Sequence, residues 1–297
     1  MTPAKPNDTL DLETAGIRHP QHIRRNLPTP LLVEEIVKNR EGRMAHLGPV
    51  VVRTGNHIER TSDDRFLVED ARAAGTSWRN RHRFVTEEQF QGLFERLLAY
   101  LQDKELYVQD CHAGSHPEHR VPLRIVTETA WHGLFARTMY HQIHDSLELD
   151  EFRPAFTVIY APGFQAVPDR DGTGSTAFSI THLRRHLILL GGTTYGGEIK
   201  HAVFTAIDAC TPPERVLPVR CAVNVGPEGD VAMFLGRSGA GKTSLVTDPV
   251  RALVGDDQHG WADEGLFTFE WGCYARGLHL APDAEPLIHA CPRRFGT

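Results

Sequence analysis

In the stretch GRSGAGKTSLVTD, Gly236 is followed by four residues and then by Gly241, Lys242 and Thr243, the G-x-x-x-x-G-K-[ST] spacing of a phosphate-binding loop. Each residue type there has a physical reason. Glycines let successive backbone N–H groups turn inward as a nest, and the N-terminus of a following helix adds partial positive charge. Lys242 sets a point charge between phosphates, and Thr243 offers a hydroxyl to Mg2+. Gly236, Ser238, Gly239, Ala240, Gly241, Lys242, Thr243 and Ser244 together therefore read as a cradle for nucleotide phosphates. The spacing arises by chance in about 1% of chains this long, so the flanks decide. DVAMFLG before the loop has the character of a strand, and KTSLVTD after it suits the first turns of a helix. ALVGDDQHGW then puts Asp256 and Asp257 at the end of an apolar strand, where acids can hold a metal ion. The alternative is a glycine turn followed by solvated acids.

Regular elements must hold these residues in place. PTPLLVEEIVKNRE predicts a helix with Leu31, Leu32, Ile36 and Val37 on its apolar face. EEQFQGLFERLLAYLQD repeats apolar residues at helical spacing through Phe90, Leu93, Leu97 and Leu101, with acids in its first turn, and predicts an amphipathic helix. PAFTVIYAP, RRHLILLGG, GDVAMFLG and RALVGDD are short apolar runs bounded by turn residues and read as buried strands. No internal repeat is visible. Near residues 211 to 229, TPPERVLPVRCAVNVGPEGD supplies turn residues on both sides of a short strand, which marks a junction. The expected organisation is α/β, with one domain over 1–224, a second over 225–297, and a loosely held, proline-bearing arm over 1–28.

The 297 residues, 40% hydrophobic and 24% charged, can build a sizeable core. A formal charge of −6 argues against a nucleic-acid partner, which needs a clustered excess of Lys and Arg. MTPAKPNDTLDLETAG lacks the basic and apolar segments of a signal peptide, and no run approaches a membrane span. The expectation is a cytoplasmic protein without a membrane partner. Cys111, Cys210, Cys221, Cys273 and Cys291 are widely spaced and odd in number, so they read as reduced and mostly buried thiols.

Five ordered blocks carry a resemblance that the phosphate loop alone does not: TGNHIERTSDDRFLV, FRPAFTVIYAPGF, GGTTYGGEIKHAVF, GRSGAGKTSLVTDP and LVGDDQHGWADEGLFTFEWGCYARGLHL. From about residue 28 onward the chain resembles ATP-dependent phosphoenolpyruvate carboxykinase. The resemblance implies an N-terminal substrate domain and a C-terminal phosphate-loop nucleotide domain with a mixed sheet. It implies conversion of oxaloacetate and ATP to phosphoenolpyruvate, CO2 and ADP, with Mg2+ on the nucleotide and a second divalent ion, usually Mn2+. By position, Arg60 in ERTS matches the family's substrate-binding arginine, and Tyr195 its substrate-site tyrosine. Lys200 falls in the GGEIK block, Gly239 to Thr243 match the triphosphate loop, and Asp256 and Asp257 match the metal-binding acids. Arg60 taken alone reads equally well as a surface ion-pair residue.

Three departures from the family pattern change what the site implies. His201 stands where the family has a second, metal-ligating lysine; an imidazole is itself a good Mn2+ ligand. Arg220, in VRCAVNVG, stands where the family has a metal-ligating histidine, and a guanidinium has no lone pair to offer a cation. Arg220 then either contacts a phosphate or carboxylate in place of the ion, or marks a decayed site, or turns out to solvent. Family members also continue past HACPRRFGT, through a further active-site arginine and the adenine-binding segment. A shortened gene product, or a partner chain that completes the nucleotide domain, is expected on that ground. Two other readings stay open: a MgATP-dependent kinase of another small carboxylate or hydroxyl compound, and a nucleotide-binding remnant without catalysis.

Weaker signals remain. Cys111, His112, His116 and His119 in DCHAGSHPEHR have metal-ligand spacing, but the segment also reads as a loop. His182 and His186 read as surface histidines, and His259 either orients the acid pair or packs.

Overall fold

The computed structural model describes residues 12–55, 62–69, 82–212, 214–237, 239–275, 277, 282–283 and 285–293. Arg60 and Ser238 lie outside the described residues. The first part of the chain runs β1 (His22–Arg25), α1 (Thr29–Lys38), β2 (Gly42–Met44), β3 (Val50–Val52), β4 (Arg65–Val68), β5 (Arg83–Val85), α2 (Glu87–Tyr100), β6 (Glu105–Ala113) and β7 (Val121–Thr127). It continues through α3 (Ala130–Met139), β8 (His141–Gln142), α4 (Ser146–Asp150), β9 (Phe156–Ala161), α5 (Pro168–Asp171), β10 (Phe178–His182), β11 (Leu187–Gly191) and α6 (Gly197–Cys210). The last part holds β12 (Leu217–Arg220), β13 (Ala222–Val225), β14 (Val231–Phe234), α7 (Lys242–Val246), β15 (Ala252–Gly255), β16 (Gln258–Ala262), β17 (Gly265–Thr268) and α8 (Pro286–Ala290).

A mixed sheet in the order β1-β6-β7-β9-β11-β10-β4-β5, with β8 added to β6, is the frame. Its strands are apolar on both faces because both are covered, which is why PAFTVIYAP and RRHLILLGG read as continuous rather than alternating runs. In β9 and β11, Ile159, Ala161, Leu187 and Leu189 face one core, shared with Phe90, Leu93, Phe94 and Leu97 of α2. Phe156, Val158, Tyr160, Ile188 and Leu190 face the other, shared with Ile199, Ala202, Val203, Phe204 and Ile207 of α6. Each fully buried large side chain contributes about 1.5–3 kcal/mol, so α6 is clamped along its length. The start of α2 is fixed by a capping box, in which Thr86 Oγ1 accepts from Gln89 N and Gln89 Oε1 accepts from Thr86 N.

The remaining strands form small sheets. β12-β16-β17 and β14-β13-β15 are each antiparallel, and β2 pairs with β3. The expected division between 224 and 225 falls inside β13, whose residues pair with β14 and β15; a cut before Ala222 or after Val225 leaves the strand intact.

Several expectations change. The loose arm does not extend over the described residues 12–28: Leu12 and Ile17 are buried in the α2 core, and β1 pairs in parallel with β6. Helix α1 buries Leu32, Val33 and Ile36, leaving Leu31 and Val37 outside, because the apolar stripe follows the i, i+1, i+4 face. His182 is fully buried, 2.9 Å from Glu87, whereas His186 is exposed as expected. Cys111 and Cys221 are buried, but Cys210, Cys273 and Cys291 are exposed. Cys111 and His112 lie in β6 rather than in a loop, and neighbouring strand residues face opposite ways, so they do not converge on one ion. Among the described residues no helix is long and apolar enough to cross a membrane.

Ile17→Ala is expected to lower unfolding stability by about 2–4 kcal/mol, read as a lower urea midpoint. An unchanged midpoint would mean that the segment before β1 is not part of the core.

Candidate functional site

The site is built outward from the N-terminal turns of α6. The turn into that helix is fixed from below: the buried Tyr160 hydroxyl lies 2.9 Å from Thr193 O and 3.2 Å from Tyr195 O. Tyr195 N donates to Thr193 Oγ1 at 3.1 Å, and the Tyr195 ring meets Tyr274 at 5.9 Å, the two hydroxyls being hydrogen-bonded. Arg65, on β4, forks onto Glu198 through Nε and Nη2 at 3.1 and 2.9 Å, which ties α6 to the strand that follows the ERTS segment.

Lys200 is buried at the centre, its Nζ 2.8 Å from Glu270 and 3.2 Å from Asp257. Burial alone would lower its pKa, but the charges of Glu270, Asp257 and Asp256 outweigh that and raise it. Three carboxyl groups therefore gather around one ammonium. Burial pushes Glu270 up to about 7 against the pull of Lys200, and pushes Asp256 up as well. Asp256 is buried and receives a hydrogen bond from the Cys273 thiol, while its Oδ1 has no hydrogen-bond partner. Asp257 is half-buried, and its carbonyl accepts from Cys221 N at 2.9 Å.

His201 and Arg220 meet, the latter's Nη2 lying 3.3 Å from His201 Nδ1. Arg220 also lies over the Phe204 ring at 5.1 Å, so it turns onto α6. His259 is wholly buried, and burial pushes it down to about 4. A Cβ on Gly255 would lie 2.8 Å from its Nε2, so the ring packs beneath the acid pair as a neutral group.

The phosphate loop leaves β14 and enters α7 with Gly239 at φ 83° and Gly241 at φ 84°, backbone that glycine adopts without strain. Open space surrounds both, so the requirement is conformational and not steric. Lys242 folds back to donate to Gly236 O at 2.8 Å and Arg237 O at 3.0 Å. Ala240 N donates to Arg237 O at 3.2 Å. Thr243 is half-buried at the head of α7, and Ser244 donates to Glu285. Asn224, on β13, donates to Val246 O at 3.1 Å and so fastens α7 to the strand that starts beside Cys221. Burial pushes the Cys221 thiol up to about 11, with Asp257 adding to the shift and Lys242 opposing it, so both charges lie within range of this one buried sulfur.

The family model for phosphoenolpyruvate carboxykinase matches residues 21–297. The chain belongs to the phosphoenolpyruvate carboxykinase family. Phosphoenolpyruvate carboxykinase (ATP) of Pelobacter propionicus is 46% identical over 288 residues, 96% of this chain and 54% of the relative. The proteins of the same name from Geobacter sp. and Thermus thermophilus are 44% and 43% identical, again over 96% of this chain and 54% of their own length. The chain thus spans about half the length of the curated relatives it matches.

The sequence reading missed Glu270, Cys273 and Tyr274. Glu270 had a usable signal, an acid inside the apolar run LFTFEW, since a charge in such a run demands a buried partner. Tyr274 had none, because nothing local says that it reaches Tyr195.

A raised Glu270 means that the folded chain holds a proton which the unfolded chain releases between about pH 4.5 and about 7. That contribution to stability is complete below the ordinary carboxyl value and is lost as pH rises through about 7. Between about pH 5 and about pH 8 the native chain should lose on the order of 2 kcal/mol relative to Glu270→Gln. Urea unfolding of both proteins at the two pH values checks this; parallel behaviour would place Glu270 in an ordinary ionised pair.

Proposed function

We propose that this chain carries the oxaloacetate site and the ATP phosphate loop of a cytoplasmic phosphoenolpyruvate carboxykinase, turning oxaloacetate and ATP into phosphoenolpyruvate, CO2 and ADP. The observation that carries this reading is the buried Lys200 centre, joined to the phosphate loop through Cys221 and β13. The part before Ala222 acts as the substrate domain and the part from Ala222 onward as a portion of the nucleotide domain.

Decarboxylation leaves the electrons of the broken C–C bond on an enolate, whose oxygen attacks the γ-phosphorus in line while ADP departs with the P–O pair. Charge develops on that oxygen, so fixed positive groups lower the barrier most. Lys200, already protonated and held in place by two acids, can face it without reorganisation. Tyr195 and Arg60 bind the substrate's carboxylates, and Lys242 exchanges its two loop carbonyls for phosphate oxygens. The nucleotide's Mg2+ fits the donors present, the Thr243 hydroxyl and the acid pair with its unpartnered Asp256 Oδ1, and when bound it neutralises phosphate charge.

The protein mixed with ATP, oxaloacetate and Mg2+ is expected to form phosphoenolpyruvate in proportion to ADP. Lys242→Ala should cut both by about a hundredfold or more. Folded protein that makes no phosphoenolpyruvate overturns the assignment.

A further inference from the structure

The resemblance to the family implies a second divalent ion held by the protein itself, and the residues beside α6 do not fit one. A guanidinium carries only N–H donors, so His201 Nδ1 must be the acceptor in its contact with Arg220. With Nδ1 accepting from the guanidinium, that nitrogen's lone pair is not available to a cation. Arg220 cannot shed its charge and repels a divalent ion at this range. Across β12 and β16 Arg220 pairs with Gln258, the residue that follows the acid pair in the chain. Among the described residues no three His, Cys, Asp or Glu side chains converge to hold an ion.

We infer that Arg220 replaces the second divalent ion in this centre, and that the position takes an anionic oxygen, carboxylate or phosphoryl, directly on the guanidinium. The phosphoryl-transfer chemistry then needs only the magnesium that arrives with the nucleotide. The inference rests on the proposed function for its meaning, but its test needs neither nucleotide nor turnover.

Mn2+ titrated into the nucleotide-free full chain, followed by electron paramagnetic resonance, should show no saturable site. Arg220→His, which removes the fixed charge and adds a lone pair beside a released His201, should tighten Mn2+ binding by about tenfold or more. Oxalate, a dianion probe, should bind the native chain without any divalent ion, weaken by about tenfold or more in Arg220→Gln, and recover in part in Arg220→Lys. Thermal melts of each variant establish that it is folded. One Mn2+ bound per native chain overturns the inference, as does folded Arg220→His that gains no affinity, or oxalate binding indifferent to Arg220→Gln. Binding of MgATP, measured separately against Lys242→Ala, tells failure of the proposed function from failure of this inference.

Discussion

One buried ammonium among more carboxyl groups than it can neutralise governs this molecule. Lys200 holds Asp257 and Glu270 within ion-pair distance and feels Asp256 as well. Desolvation makes such a cluster costly unless its geometry is fixed in advance, because an unpaired charge in the same place would cost several kcal/mol, about 3–5 by analogy with broken buried pairs. The fold supplies that geometry. Helix α6 carries the lysine on a segment whose first ten residues, Gly197 to Ala206, are nearly all buried, and Glu198 on the same helix is forked by Arg65 from the large sheet. The acids arrive from the other side, on the turn between β15 and β16 and just after β17. The centre is thus a seam: the large sheet fixes the cation and the small sheets bring the anions.

That seam explains the position of Arg220. It ends β12, the strand that leads from α6 into the small sheets, and it returns to touch His201 and Phe204 on the helix it has just left. The guanidinium is held there by the His201 ring nitrogen and the face of Phe204. A guanidinium differs from a metal ion in character: its charge is always present and its direction is set by planar N–H donors.

Much of this was legible in the chain. The α2 repeat from Phe90 to Leu101 and the runs that became β9 and β11 follow from period and flanking turn residues, because burial on one or two faces writes itself into local sequence; GDVAMFLG and RALVGDD also became strands, β14 and β15, but with Val231 and Leu253 exposed and not buried as expected. The phosphate loop was legible because positive φ selects glycine at positions 239 and 241. What failed were relations between distant segments. Nothing near Leu12 or Ile17 announces that α2 will cover them, and the exposed Leu31 beside the buried Val33 depends on the angle at which α1 meets its neighbours. The Glu270 contact with Lys200 joins residues seventy positions apart, and only the general rule that buried acids need partners hinted at it.

The two parts differ in how they are secured. The large sheet is covered on both faces, whereas Val231, Leu235, Leu245, Val250 and Leu253 around the phosphate loop are exposed. A loop with little packing must hold itself, and Lys242 does so by donating to Gly236 and Arg237 carbonyls. The phosphate binding proposed for the loop would exchange these two hydrogen bonds rather than create new ones. The gain in affinity comes from charge, because the ammonium then meets an anionic oxygen in place of a neutral carbonyl dipole. The lysine is therefore a strut for the loop's own backbone, so removing it loosens the loop itself as well as the phosphate contact proposed for it.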